Sequence, residues 1–251
     1  MSTARNLVLV LLVLLALAAL FALAPRRAHA DDVARGRALY TPRCAVCHGR
    51  EGRGDGAIAR YLDPAPRDFS SGVYKLRSTA TGELPTDDDL LRTLARGIPG
   101  TAMPAWSGLS LADRRALVAY LKTLSPRFSR TPAAEVVPIP EPTQASAAAL
   151  AAGARTYELM QCARCHAADG RGRGVVAPEL VDDRGRRAYP FDFSRSWKLK
   201  GGASVTDLYR TLHTGIDGTP MPSYHDSLSP EDTWPLVHHL RSLFLDGRDP
   251  R

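Results

Sequence analysis

Apolar positions along the chain form one continuous run and several short helical stripes. The run extends from Leu7 to Ala24, 18 residues without a charge. Beyond it the spacing is that of amphipathic helices. Val33 to Tyr40 reads as a short helix. Thr86 and Asp89, a capping-box pair, precede Leu90, Leu91 and Leu94, and Gly97 supplies the stop. Ser110 with Asp113 opens another helix, whose Leu117, Val118, Leu121 and Leu124 recur at helical intervals. Farther on, Ser229-Pro230-Glu231-Asp232 places an N-cap, a first-turn proline and first-turn acids ahead of Leu236, Val237, Leu240 and Leu243. Strand signals are nearly absent, so the predicted class is all-α. Helices this short are marginal alone and need an apolar body to pack on.

The pattern occurs twice. A displacement of 118 residues carries Asp89-Leu90 to Asp207-Leu208, Arg92-Thr93-Leu94 to Arg210-Thr211-Leu212, and Gly97-Ile98 to Gly215-Ile216. It also carries Gly100-Thr101-Ala102-Met103-Pro104 to Gly218-Thr219-Pro220-Met221-Pro222. Between these anchors the match loosens. Arg67-Asp68-Phe69-Ser70 and Lys75-Leu76-Arg77 answer to Phe191-Asp192-Phe193-Ser194 and Lys198-Leu199-Lys200 at displacements of 124 and 123, which implies loops of variable length. Residues 131–147 hold four prolines and read as an extended linker. The expected organisation is a leader at 1–30, two like domains at 31–130 and 148–251, and the linker between them. Each copy reads as helix, long loop, helix, methionine loop, helix.

The first thirty residues change the charge balance. Arg5 precedes the apolar run; Pro25-Arg26-Arg27 and Ala28-His29-Ala30, a cleavage pattern, follow it. This reads as a secretory signal, with Asp31 as the mature start. A run of 18 residues also borders on a membrane span, so an uncleaved anchor stays open. The expected location is periplasmic, with possible anchoring through the run. The formal charge is +7; without Arg5, Arg26 and Arg27 the 33 basic residues fall to 30 against 26 acidic, a balance of +4. That excess does not indicate nucleic-acid binding.

Four cysteines are present, all in two stretches: Cys44-Ala45-Val46-Cys47-His48 and Cys162-Ala163-Arg164-Cys165-His166. Cys-x-x-Cys-His is the spacing of covalent c-type haem attachment. Two thiols one helical turn apart reach the two vinyl groups of one haem, and the adjacent imidazole lies under the ring within reach of the iron. A single four-cysteine zinc site is the alternative, and it leaves both histidines unexplained. With no cysteine left over, no disulfide is expected. Two haems would bring four propionates and move the holoprotein close to neutrality.

The other side of each iron decides the chemistry, since a thioether supports electron transfer and an open position supports gas or peroxide chemistry. No other histidine lies between His48 and His166, and Met103 is the one methionine of residues 31–130. The second copy offers Met221, His213 and His225. Met221 stands 59 residues after Cys162, as Met103 stands 59 after Cys44, whereas His213 and His225 align with Ala95 and Ser107. Met160 reads as packing, and His238-His239 as surface and groove. Candidate partners for haem propionates are Arg67, Lys75, Arg77, Lys198, Lys200 and Trp197, with a solvated face as the plain reading. Tyr74 and Trp197 are alternatively placed against a haem edge. Arg171-Gly-Arg173 and Arg184-Gly-Arg186-Arg187 read as exposed loops.

On these residues the chain resembles the class I c-type cytochromes, as a tandem dihaem member. The resemblance implies a cytochrome c fold around each haem, with His48 and Met103 as axial ligands of one iron and His166 and Met221 of the other. It implies an electron carrier rather than an enzyme, working between redox protein partners. The Asp-Phe-Ser and Lys-Leu-Arg stretch is similar to that of periplasmic cytochromes accompanying respiratory complexes and molybdenum-containing oxidoreductases. Two rival readings stay open: a dihaem peroxidase, and a membrane-anchored cytochrome subunit of an oxidoreductase.

Overall fold

The structure, a computed structural model, describes residues 29–244. Nine α-helices are described. In the first half these are α1 (residues 29–43), α2 (Ala45–His48), α3 (Asp87–Arg96), α4 (Leu111–Thr123) and α5 (Arg127–Arg130). In the second they are α6 (Ala147–Leu159), α7 (Ala163–His166), α8 (Val205–Thr214) and α9 (Pro230–Ser242). Among the described residues there is no strand, only isolated bridges between Thr79 and Val136 and between Val181 and Arg187. The all-α expectation holds.

Helix starts follow the caps read from sequence. Thr86 and Asp89 exchange both bonds of a capping box at α3. Ser110 and Ser229 each accept the N–H of the acid three residues on, at α4 and α9, and Ser204, not singled out from the sequence, does the same at α8. Helix α1 runs longer than the predicted Val33–Tyr40, because apolar spacing marks only the buried face of a helix and not its polar ends.

Each half is organised by a crossing of its first and last long helices. Gly36 of α1 lies so close to α4 that a Cβ there would stand 2.0 Å from the Ala116 carbonyl oxygen. Gly153 of α6 meets α9 in the same way, 2.0 Å from the Pro235 oxygen. Only a hydrogen side chain lets the backbones approach this far. Around the first crossing Tyr40, Leu94, Leu117 and Leu121 form a buried cluster with Leu90 and Tyr74. Around the second, Tyr157, Leu212, Leu236 and Leu240 do so with Leu208 and Trp234.

Residues 131–146 contain no helix, yet they are not a free spacer. Val137 is buried and its N–H bonds the Ser78 carbonyl, while Ile139 packs on the core of the second half. The two halves also meet directly. Arg77 donates to Thr214 and Asp217, Arg67 pairs with Asp183 at 3.4 Å, and Arg184 donates to the Pro66 carbonyl.

The location expected from sequence is corrected here. Among the described residues no helix is long and apolar enough to cross a membrane. The run from Leu7 to Ala24, with the proposed cleavage pattern up to Ala28, lies outside them.

Candidate haem-binding sites

The two Cys-x-x-Cys-His stretches fold alike. α2 and α7 are single turns that place each histidine one turn from its first cysteine, with His48 N–H on the Cys44 carbonyl and His166 N–H on that of Cys162. All four cysteines are free. Burial pushes the Cys44 and Cys162 thiols up to about 11. Among the described residues no group of three or more His, Cys, Asp or Glu side chains converges as a metal site, so the four cysteines do not meet.

Each turn is closed by a tyrosine. Tyr40 donates to the Gly49 carbonyl and Tyr157 to that of Ala167, both at 2.7 Å. The second copy has one extra residue before its motif, Gln161. It is absorbed at φ 57°, so Cys162 N–H reaches back five residues to Tyr157 where Cys44 reaches back four to Tyr40.

Both imidazoles are oriented from behind. His48 Nδ1 lies 3.1 Å from the Arg67 carbonyl and His166 Nδ1 lies 3.1 Å from that of Phe191. A carbonyl only accepts, so Nδ1 carries the hydrogen and Nε2 keeps its lone pair for a metal. Phe69 stacks on His48 at 4.4 Å, and Phe193 lies against His166 at 4.9 Å. The Asp-Phe-Ser stretch explains this placement. Asp68 and Asp192 each accept the N–H and hydroxyl of the serine two residues on. The phenylalanine N–H then bonds Gly52 in one copy and Gly170 in the other. Burial lowers the pKa of both histidines and favours the neutral ring that a metal requires.

The methionine loops are duplicates. Gly97 and Gly215 stop α3 and α8 at φ 66° and 65°. Ile98 N–H bonds the Met103 carbonyl at 3.0 Å, and Ile216 N–H that of Met221 at 3.1 Å. The Thr101 and Thr219 hydroxyls accept the N–H of Met103 and Met221. In the second half His166, Met221, Cys162 and Cys165 line one cavity of about 370 Å³, with Leu212 and Leu240 among its apolar walls. In the first, Met103 packs on the cluster that also touches Cys44 and Trp106.

Residues 33–125 match the family described as cytochrome c, and residues 148–240 the one described as cytochrome C oxidase, cbb3-type, subunit III. The chain belongs to the cytochrome c family, as a tandem dihaem member. A solved chain of the Kuenenia stuttgartiensis reducing HAO-like protein complex Kustc0457/Kustc0458 is similar to this cytochrome at 41% identity. The match covers 84% of this chain and 96% of that one, with a TM-score of 0.81. The cofactor is therefore two haem c per chain, and the chemistry is haem-based electron transfer.

The residues of this cytochrome fit the group. The cavity is lined in part by Lys75 and Lys200, and among the described residues neither forms a salt bridge. Burial, then the charges of Arg67 and Lys200, push the Lys75 ammonium down to about 8. Asp63 and Asp182 also line the cavity but pair with neither ammonium among the described residues, so both lysines keep donors for a propionate. The buried Trp106 Nε1 also has no partner and stands as a spare donor.

Other sequence candidates go elsewhere. Trp197 is 60% exposed and does not pack in the core as its counterpart Tyr74 does. Arg77 is buried and committed to Tyr74, Ala80, Thr214 and Asp217, so it is not a propionate donor. His238 is buried rather than on the surface, with Nε2 3.3 Å from the Thr143 hydroxyl. His213 is likewise buried: its Nδ1 lies 3.3 Å from His225 Nδ1 and its Nε2 lies 2.9 Å from Thr233. Met160 packs at the edge of the second core. The sequence reading missed Gly36, Gly153, Tyr40 and Tyr157, although each pair recurs 117 residues apart and was there to be found.

Proposed function

We propose that this cytochrome is a one-electron carrier with two closed irons, one held by His48 and Met103 and the other by His166 and Met221. Cys44 and Cys47 hold the first haem by thioethers, and Cys162 and Cys165 the second. Haem supplies reversible exchange between Fe(II) and Fe(III). The chain's part is to fix both axial groups so that little moves when the charge changes. The supporting observation is duplication: one imidazole turn, backed by one carbonyl, and one threonine-buttressed methionine loop occur in each half, and in the second half His166 and Met221 line one cavity. A peroxidase divides labour between unlike haems, and this symmetry speaks for like ones.

The partners are taken to be redox proteins, a respiratory or molybdenum-containing oxidoreductase among them. Membership of the similar chain in a complex supports docking to such a protein. Apolar side chains stand exposed beside the cysteine turns, Val46 between Cys44 and Cys47 and Val175 next to the strand of backbone bonded to Arg164. They suit a transient contact near the haem edges.

Intact mass of the purified chain is expected to show two haems. Met103→Ala and Met221→Ala are each expected to remove about half of the weak long-wavelength band of sulfur-ligated ferric haem. Unaltered spectra in both variants, or ready binding of carbon monoxide by the ferrous wild type, would reject the ligand assignment.

A further inference from the structure

The second methionine loop is not held by its own half alone. Between Gly215 and Met221 the chain turns at Asp217-Gly218, closed by Thr219 N–H on the Ile216 carbonyl. Asp217 sits at the corner of this turn. Its Oδ1 accepts from Arg77 at 2.8 Å and from the Thr81 hydroxyl at 2.7 Å, and its Oδ2 accepts from Gly82 N–H at 2.8 Å. All three donors belong to the first half. Arg77 also donates at 2.7 Å to the Thr214 carbonyl, directly before the loop. The Arg77 side chain is 0% exposed and that of Asp217 13%. Two further bonds, to Tyr74 and Ala80 carbonyls, root Arg77 in its own half.

The arrangement runs one way. The residue matching Asp217 in the first half is Pro99, and the one matching Arg77 in the second is Lys200. The Met103 loop meets the other half at the side of Lys198, whose Cβ lies 3.0 Å from where a Gly100 Cβ would be, and Arg96, directly before the loop, reaches Asp207 at 3.7 Å with its side chain 49% exposed. One loop is thus fastened at its own corner by buried charge-assisted bonds, whereas the other has across the seam a side-chain contact and a half-exposed ion pair made before the loop begins.

We infer that Arg77 and Asp217 are positioning residues through which the first domain holds the Met221 loop on the second haem, so that this iron's sixth ligand depends on domain docking and the first iron's does not. The inference rests on Met221 being that ligand. A loop containing two glycines at positive φ has many alternative conformations. Clamping its corner reduces what the methionine–iron bond must order, and releasing it makes the thioether easier to displace.

The test is imidazole titration of the ferric holoprotein, followed at the sulfur-ligation band, with potentiometry and proton NMR of the axial methionine methyls alongside. In Asp217→Ala one of the two haems is expected to bind imidazole about tenfold more tightly. The same haem's methyl signal should broaden and its potential shift, while the other haem keeps wild-type values. Asp217→Asn, whose amide oxygen keeps the Arg77 and Thr81 bonds while its NH2 cannot accept from Gly82 N–H, should lie between. Arg184→Ala removes a different bond of the same seam, to the Pro66 carbonyl, leaves all three donors to Asp217 in place, and should not change the haem that Asp217→Ala alters. Met221→Ala separates the two claims. If it leaves both haems unaltered, the ligand assignment fails. If it alters one haem and Asp217→Ala alters none, or alters both equally, or is matched by Arg184→Ala, the positioning role is overturned.

Discussion

Replacing Gly153 by alanine puts a methyl group where no room exists. The new Cβ would lie 2.0 Å from the Pro235 oxygen, 2.5 Å from its carbon and 2.8 Å from His239 Cβ. Two of these three atoms are backbone, so no side-chain rotation relieves the contact. Ordinary contact requires about 3.4 Å, so α6 and α9 must separate by more than an ångström. A gap of 0.5–1 Å already forfeits about a quarter to a half of the dispersion attraction between facing atoms. Overpacking of this kind costs about 1–3 kcal/mol, and backbone contact places this site at or above the upper end. Against it stands a gain of about 1 kcal/mol for replacing glycine inside a helix. The net loss is about 2 kcal/mol. For a domain of this size that lowers the melting temperature by roughly 8–16 °C. Calorimetry of the holoprotein should show the loss in the transition of the second domain. Gly108→Ala is the control, since nothing lies within 4 Å of its Cβ position and its effect should be within about 0.5 kcal/mol. A Gly153→Ala protein as stable as wild type would refute the claim that this crossing sets the domain.

Three further outcomes are expected. Ala167 occupies φ 63° where the first copy has Gly49 at 77°, so Ala167→Gly should stabilise the second domain by about 0.5–1 kcal/mol, read from denaturant midpoints; a loss of stability would count against strain at this turn. Tyr157→Phe removes the donor to the Ala167 carbonyl and should destabilise by about 1 kcal/mol, with Tyr40→Phe matching it in the first domain through Gly49; unchanged chemical denaturation in both would show the bonds to be idle. The Asp113 carboxyl is held below its ordinary pKa of 3.8 by the Ser110 hydroxyl first and by Arg35 next. A folded value below the unfolded one stabilises above pH 3.8 and is lost as pH falls through the folded value. Acid titration of stability should therefore be steeper for wild type than for Asp113→Asn, and equal slopes would discard the linkage.

Much of the site was legible because its chemistry is local. Cysteine and histidine within five residues, and a methionine in a glycine- and proline-rich loop at the same distance in both copies, need no tertiary information to be noticed. The capping residues Thr86, Ser110 and Ser229 were legible for the same reason: a cap bonds within three residues. The carbonyls behind His48 and His166 were not: Arg67 and Phe191 were matched at a displacement of 124, but a bond made by a backbone carbonyl leaves no mark in side-chain identity.

What the sequence by itself determined is the all-α class, the duplicated motif and the identity of the groups able to hold two haems. Tertiary structure decided the rest. Arg77 and Lys200 occupy matching positions and look interchangeable on paper; packing buries one against Asp217 and Thr214 and leaves the other at an open rim. Trp197 and Tyr74 part in the same way, one outward and one into the core. The physical reason is that a repeat specifies each half's internal bonds twice over, whereas the seam between unlike faces occurs only once. Which residues meet there depends on how the two bodies dock, and no local spacing records that.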